Sequence, residues 1–166
     1  PYDVVKVGDN YGSVFELLEA ETLQKRILKN PKQLDEYIAQ YVKVLKIIHS
    51  SEVKPGELTI KKEEMIDRAS RVQKMLDKKT GDKLVKLIKG IKDTKNIIHG
   101  DYHVKNIMVQ NNEPFIIDMD TLSMGSPIFE FGFMYSCYEG YQEINKNNGE
   151  EFFGIKQEIL DKIYWD

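Results

Sequence analysis

Two short apolar runs, Ile107-Met108-Val109 and Phe115-Ile116-Ile117, flank the turn-forming residues Gln110-Asn111-Asn112-Glu113-Pro114. Short runs joined by such a turn read as a β-hairpin. A hairpin sets the residues before its first strand beside those after its second. Asp101 and Asn106 precede the first strand, and Asp118 follows the second at once. All three side chains are therefore expected at one end of the hairpin. Two carboxylates and an amide oxygen are hard oxygen donors, suited to Mg²⁺ and not to Zn²⁺. Sites of that kind commonly hold the metal together with substrate phosphates. Each residue alone is equally a turn former, and it is the convergence of three that points to a site. The single cysteine, Cys137, leaves no basis for a disulfide framework or a Cys-based zinc site.

The rest of the chain reads as mainly helical. Residues 2–7 and 13–18 are expected to form an antiparallel hairpin around Gly8, Asp9, Asn10 and Gly12. Such a pair is marginal alone and needs a sheet to join. Thr22 is placed to cap a helix running to Leu28, which Asn30-Pro31 ends. Apolar spacings of three and four predict helices over 32–49 and 62–79, the latter broken by Thr80-Gly81-Asp82, and a further helix over 83–92. Residues 127–138 read as a buried helix, 140–149 as a loop and 150–165 as a last helix.

At 166 residues the chain is long enough for one domain with a real core. Its net charge of −3 argues against a general nucleic-acid binder. Basic residues concentrate in 31–105 and acidic ones in 106–166. The acidic half could draw in a cationic substrate or Mg²⁺, although solvated surface is the plainer reading. No apolar run is long enough for a membrane helix, so no membrane partner is expected. With no secretory signal or lipidation motif, a cytoplasmic protein is expected.

His99-Gly100-Asp101-Tyr102-His103-Val104-Lys105-Asn106 resembles the catalytic loop of the aminoglycoside phosphotransferase and choline kinase family, which reads H-G-D-x-H-x-x-N. Ile117-Asp118-Met119-Asp120 resembles that family's metal-binding segment, and both spacings match the kinase pattern. Gly125-Ser126-Pro127-Ile128-Phe129-Glu130 resembles its G-x-P-x-x-D segment, with Glu130 in place of Asp. The resemblance implies an α+β, protein-kinase-like fold: a remnant of small-lobe strands and hinge over 1–20, then a mainly helical large lobe over 21–166. It implies a phosphotransferase that uses ATP or GTP and Mg²⁺ to phosphorylate a hydroxyl of a small molecule, such as an aminoglycoside, choline, an amino alcohol or a sugar. Asp101 is implied as catalytic base and His103 as its neighbour in catalysis, orienting the loop or approaching the γ-phosphate. Asn106 and Asp118 are implied as metal ligands, with His99 and Glu130 as structural supports. Asp120 is either a further metal contact or a turn residue. Phe15-Glu16-Leu17-Leu18-Glu19 resembles the strand entering the hinge, which puts adenine against the backbone of Glu19, Ala20 and Glu21.

Other features depart from the family. No glycine-rich phosphate loop and no strand lysine paired with a helix glutamate is found, and Lys6 lies too close to the hinge to serve. The expectation is of a chain lacking most of the small lobe and incomplete for activity. A non-catalytic, pseudokinase-like binding or regulatory module is the alternative. A metal-dependent hydrolase built on His99, His103 and Asp118 is a further one, which Gly100 and Asp101 disfavour by opposing the helix it requires. Phe129, Phe131, Phe133, Tyr135, Tyr138 and Tyr141 form an aromatic cluster that serves either core packing or a cation–π box.

Overall fold

Thr22 begins the first helix as expected: its hydroxyl accepts the Lys25 backbone N–H at 3.2 Å, satisfying one of the free amides of the first turn. That helix, α1 (Leu23–Lys29), ends where Asn30-Pro31 opens a 3₁₀ turn. The computed structural model describes residues 2–166, and among them the architecture is mixed α+β, with helices predominating.

The chain opens on a hairpin, β1 (Asp3–Val7) and β2 (Asn10–Val14), closed by the two-residue turn Gly8-Asp9. The second strand starts three residues earlier than its sequence suggests and stops at Val14, so Phe15–Leu18 is not strand. The turn sets this register, because Gly8 at φ 61° allows a two-residue connection. All of β1 is exposed, as is β2 apart from Gly12.

The helical body rests on α2 (Leu34–Ser50), whose Tyr37, Ile38, Tyr41, Val44 and Leu45 are buried at helical spacing. A strand β3 (Glu21–Thr22) pairs with β6 (Ile107–Gln110), which pairs in turn with β7 (Glu113–Ile116). The β6–β7 turn is the pair Asn111-Asn112, both at positive φ (50° and 65°), the geometry of a two-residue hairpin turn that asparagine tolerates. A second small sheet joins β4 (Thr59–Ile60), β5 (Ile97–Ile98) and β8 (Ser123–Met124), with β8 between the others.

The expected break at Thr80-Gly81-Asp82 lies elsewhere. Helix α3 (Lys61–Gln73) ends first, and α4 (Lys78–Gly90) starts behind Asp77, whose carboxylate caps the Thr80 amide at 3.0 Å. Gly81 sits inside α4, where a Cβ would come within 2.8 Å of Gln73 Cγ. The glycine is there for close helix approach and not for a turn. The aromatic stretch forms α5 (Ile128–Tyr135), continues as one π-helical turn over Ser136–Gly140, and then as α6 (Tyr141–Ile144), so part of the expected loop is helical. The expected last helix is two: α7 (Asn148–Phe153) and α8 (Gln157–Trp165), divided at Gly154 with φ 65°.

The main core gathers Leu23, Ile27, Tyr41, Tyr102, Ile107, Tyr138, Phe153 and Leu160 from five helical elements, β6 and the segment before it. Burial of each of these aliphatic side chains contributes about 2 kcal/mol. A smaller cluster of Ala69, Ile88, Ile98 and Phe129 fastens the α3–α4 pair to β5 and α5.

Candidate active site

The segment His99–Asn106 joins β5 to β6 and is held from several sides. His99 is fully buried. Its Nδ1 accepts the Asp101 backbone N–H at 3.3 Å, and its Nε2 lies 3.1 Å from the Ile117 carbonyl. One neutral tautomer, with the proton on Nε2, satisfies both bonds. Both ring nitrogens are thereby occupied within the protein, so His99 is no metal ligand and the hydrolase arrangement does not form. The His99 carbonyl in turn accepts the Thr121 hydroxyl at 2.7 Å.

Glu130, also fully buried, receives the His99 amide at 2.5 Å and the Gly100 amide at 3.0 Å on its carboxylate. The methylene that separates Glu from Asp does not prevent this reach. Gly100 adopts φ 84°, and a Cβ there would stand 2.8 Å from the Thr121 carbonyl.

Asp101 is partly exposed at the end of this brace. Its Oδ2 accepts Asn106 Nδ2 at 3.0 Å, and the same amide nitrogen also donates to the Asp101 carbonyl at 3.0 Å. Those two bonds fix the orientation of the Asn106 amide, so its Oδ1 is the atom left for a ligand. His103 turns Nε2 towards Asp101 Oδ1 at 3.4 Å. Its ring is wedged against Phe152 and Phe153 at centroid distances of 6.0 and 5.8 Å. Burial holds the His103 pKa below the usual imidazole range, against the opposing pull of the Asp101 carboxylate.

The hairpin sets the backbone of Asn106 beside that of Ile117, one residue before Asp118. The β6–β7 register pairs Ile107 with Ile116, and the Ile117 amide donates to the Asn106 carbonyl at 3.0 Å. Asp118 is the next residue, exposed and in the left-handed region at φ 61°, ψ 61°. A non-glycine residue there carries a conformational cost of about 1 kcal/mol or more, borne where surrounding structure enforces it. No group of three or more His, Cys, Asp or Glu side chains is gathered for a metal among the described residues. The donors at the hairpin end are an amide oxygen and one exposed carboxylate. They fit a magnesium ion that keeps waters and phosphate oxygens as its other ligands, and they do not fit an all-protein cage. Asp120 lies exposed in the 3₁₀ turn Met119–Thr121.

The segment implied as the hinge stands apart from these residues in sequence. Glu19 is exposed and Ala20 half-buried, between the N-terminal hairpin and β3. Glu21 lies in β3 opposite Val109, and its carboxylate is engaged by Lys29.

Several supporting residues carried no motif signal. Tyr41, Tyr102 and Tyr138 meet behind the loop. The Tyr138 hydroxyl accepts the Val104 amide at 3.0 Å and lies 3.2 Å from the Tyr41 hydroxyl. Tyr41 and Tyr102 exchange hydroxyl-to-carbonyl bonds of 3.3 and 2.6 Å. Lys105 caps the Phe152 carbonyl and sits 4.0 Å over that ring. The helical spacing over 32–49 takes in Tyr41 and the aromatic cluster takes in Tyr138, but neither says what their hydroxyls would meet.

On its outer side the loop borders a cleft of about 960 Å³ between the α3–α4 pair and α5, with Gly100, Asp101, Asp120 and Thr121 in its wall. Of the aromatic cluster, Phe129, Phe131, Phe133 and Tyr135 line this cleft. Tyr138 is core, and Tyr141 packs on Phe152.

A buried brace thus presents one carboxylate to a large cleft, beside a hairpin end carrying hard oxygen donors. The model of the phosphotransferase enzyme family (APH) matches residues 1–152. This chain belongs to that family. No curated protein and no solved structure matches it. Among the described residues no helix is long and apolar enough to cross a membrane.

Proposed function

We propose that this chain is the large lobe of a protein-kinase-like small-molecule kinase, transferring the γ-phosphoryl group of ATP or GTP to a hydroxyl. The observation that carries this reading is the position of Asp101. Asn106 clamps its carboxylate, His103 faces it, and it opens on the 960 Å³ cleft. In this reading Asp101 accepts the proton of the acceptor hydroxyl. The hydroxyl oxygen bonds to the γ-phosphorus, the bond to the β–γ bridging oxygen breaks, and the nucleoside diphosphate leaves. His103 orients the carboxylate of Asp101, and its neutral ring adds no competing positive charge. Asn106 Oδ1 and Asp118 are the residues that would hold Mg²⁺. When bound, that ion would offset the negative charge of the phosphate oxygens. Glu130 and His99 keep the loop in shape. The backbone of Glu19, Ala20 and Glu21 receives the base.

The test uses the full-length protein. Asp101→Asn should lower turnover by about 10²–10⁴ while leaving Mg²⁺–nucleotide affinity within a few-fold, the pattern of a lost general base. Asp118→Ala should abolish Mg²⁺-dependent nucleotide binding in calorimetry. Unchanged binding in Asp118→Ala would favour a non-catalytic binding module instead.

A further inference from the structure

We infer that the acceptor is a hydroxylated molecule with a largely apolar body and at most one positive charge. This deepens the kinase reading and rests on it, because it takes the cleft beside Asp101 as the acceptor's site. The cleft wall is built from large apolar side chains, among them Leu87, Ile91, Ile128, Phe131, Phe133 and Tyr135. Several remain unusually open for such residues: Leu87 is 61% exposed, Ile128 53% and Phe131 41%. Exposed apolar surface gathered in a concave wall marks a place where a ligand's own apolar surface is buried.

The charges of the cleft point the same way. Five charged residues line it: Lys61, Glu64, Arg68, Asp101 and Asp120. Glu64 is already neutralised on both sides, by Lys61 at 2.9 Å and Arg68 at 2.5 Å. Asp101 is reserved for the reacting hydroxyl, which leaves Asp120 as the one carboxylate free to meet a cation. A polycationic acceptor needs several unpaired carboxylates, and it would also set its own charges against Lys61 and Arg68. Of the acidic residues of the C-terminal half, Asp120 lines the cleft, whereas Glu150 and Glu158 do not. The wall thus suits a body that is buried by hydrophobic contact, with one hydroxyl delivered to Asp101.

A homologous series separates these terms. N-alkylethanolamines from methyl to octyl keep one hydroxyl and one cation while the apolar body grows. Binding to the full-length protein is measured by calorimetry, and turnover is measured with Mg²⁺ and ATP. Affinity should rise with chain length, by up to about fourfold for each methylene fully buried. Kanamycin, a polycation, should bind no more tightly than the methyl member. Leu87→Gln and Ile128→Gln change exposed positions, so folding should be retained. Each should flatten the chain-length dependence at least several-fold. An affinity that is flat along the series, or that rises with the number of charges, overturns the proposal, as does failure of every alkyl member to bind. Loss of nucleotide binding and turnover with the chain-length dependence intact would instead overturn the kinase reading alone.

Discussion

Gly100 is the residue on which the site's geometry turns. Its positive φ and its approach to the Thr121 carbonyl leave no room for a side chain. Gly100→Ala should destabilise the protein by about 1–3 kcal/mol, read as a lower urea midpoint, because the substitution adds both backbone strain and a clash. Turnover should fall further than stability explains, since the displaced peptide carries the amide of Asp101. Gly100 was visible in the sequence as the middle of a His-Gly-Asp motif, and so were Asp101, Asn106 and Asp118. Hairpin geometry alone gave the expectation that Asp101, Asn106 and Asp118 converge. Thr121 was not visible. Its hydroxyl bond to the His99 carbonyl spans 22 positions, and no spacing in the sequence encodes it. The left-handed conformation of Asp118 was equally hidden, because aspartate tolerates that region without advertising it.

Among the elements, α3 and α4 show where periodicity misleads. The apolar stripe Met65, Ile66, Ala69, Val72 and Leu76 runs on past the real end of α3 at Gln73, since residues 74–76 still turn helically. Glycine at 81 then reads as a breaker, whereas Asp77 marks the true start of α4. In that helix glycine's lower propensity is outweighed by the closeness of α3. Gly81→Ala gains about 1 kcal/mol of helix propensity. It also places a methyl 2.8 Å from Gln73 Cγ and 3.0 Å from the Gln73 carbonyl. Backbone on the far side cannot rotate away, so the net effect should be a lower Tm in calorimetry, reversed by no surface substitution on α4 alone. The junctions 136–140 and 154 went unseen for related reasons. A π turn has no distinct composition, and Gly154 interrupts a stripe whose apolar residues continue on both sides.

At the scale of the molecule, order and class were legible: one helical body, a short hairpin after the His-Gly-Asp motif, and the family. The cleft between the α3–α4 pair and α5 was not legible in the sequence, because it forms where elements distant along the chain pack together. Packing also governs how the protein meets alkaline pH. Burial pushes the Cys137 thiol up to about 12 from its usual 9.0, and burial likewise raises the phenols of Tyr41, Tyr102 and Tyr138. These groups hold their protons more tightly folded than unfolded. Their contribution to stability is complete below the unfolded pKa values and fades as pH rises through the folded ones. Denaturation midpoints measured from pH 7 to 11 should therefore fall steadily above about pH 9. Spectrophotometric titration should show three of the nine tyrosines ionising only as the fold is lost.

The brace behind the His99–Asn106 loop also fixes a chronology. His99 and Gly100 are tied to Glu130, and Val104 to Tyr138. On the ribosome the motif residues emerge well before the side chains that shape them. Until residue 138 has left the exit tunnel, the nascent chain carries every reactive group of the site and none of its form.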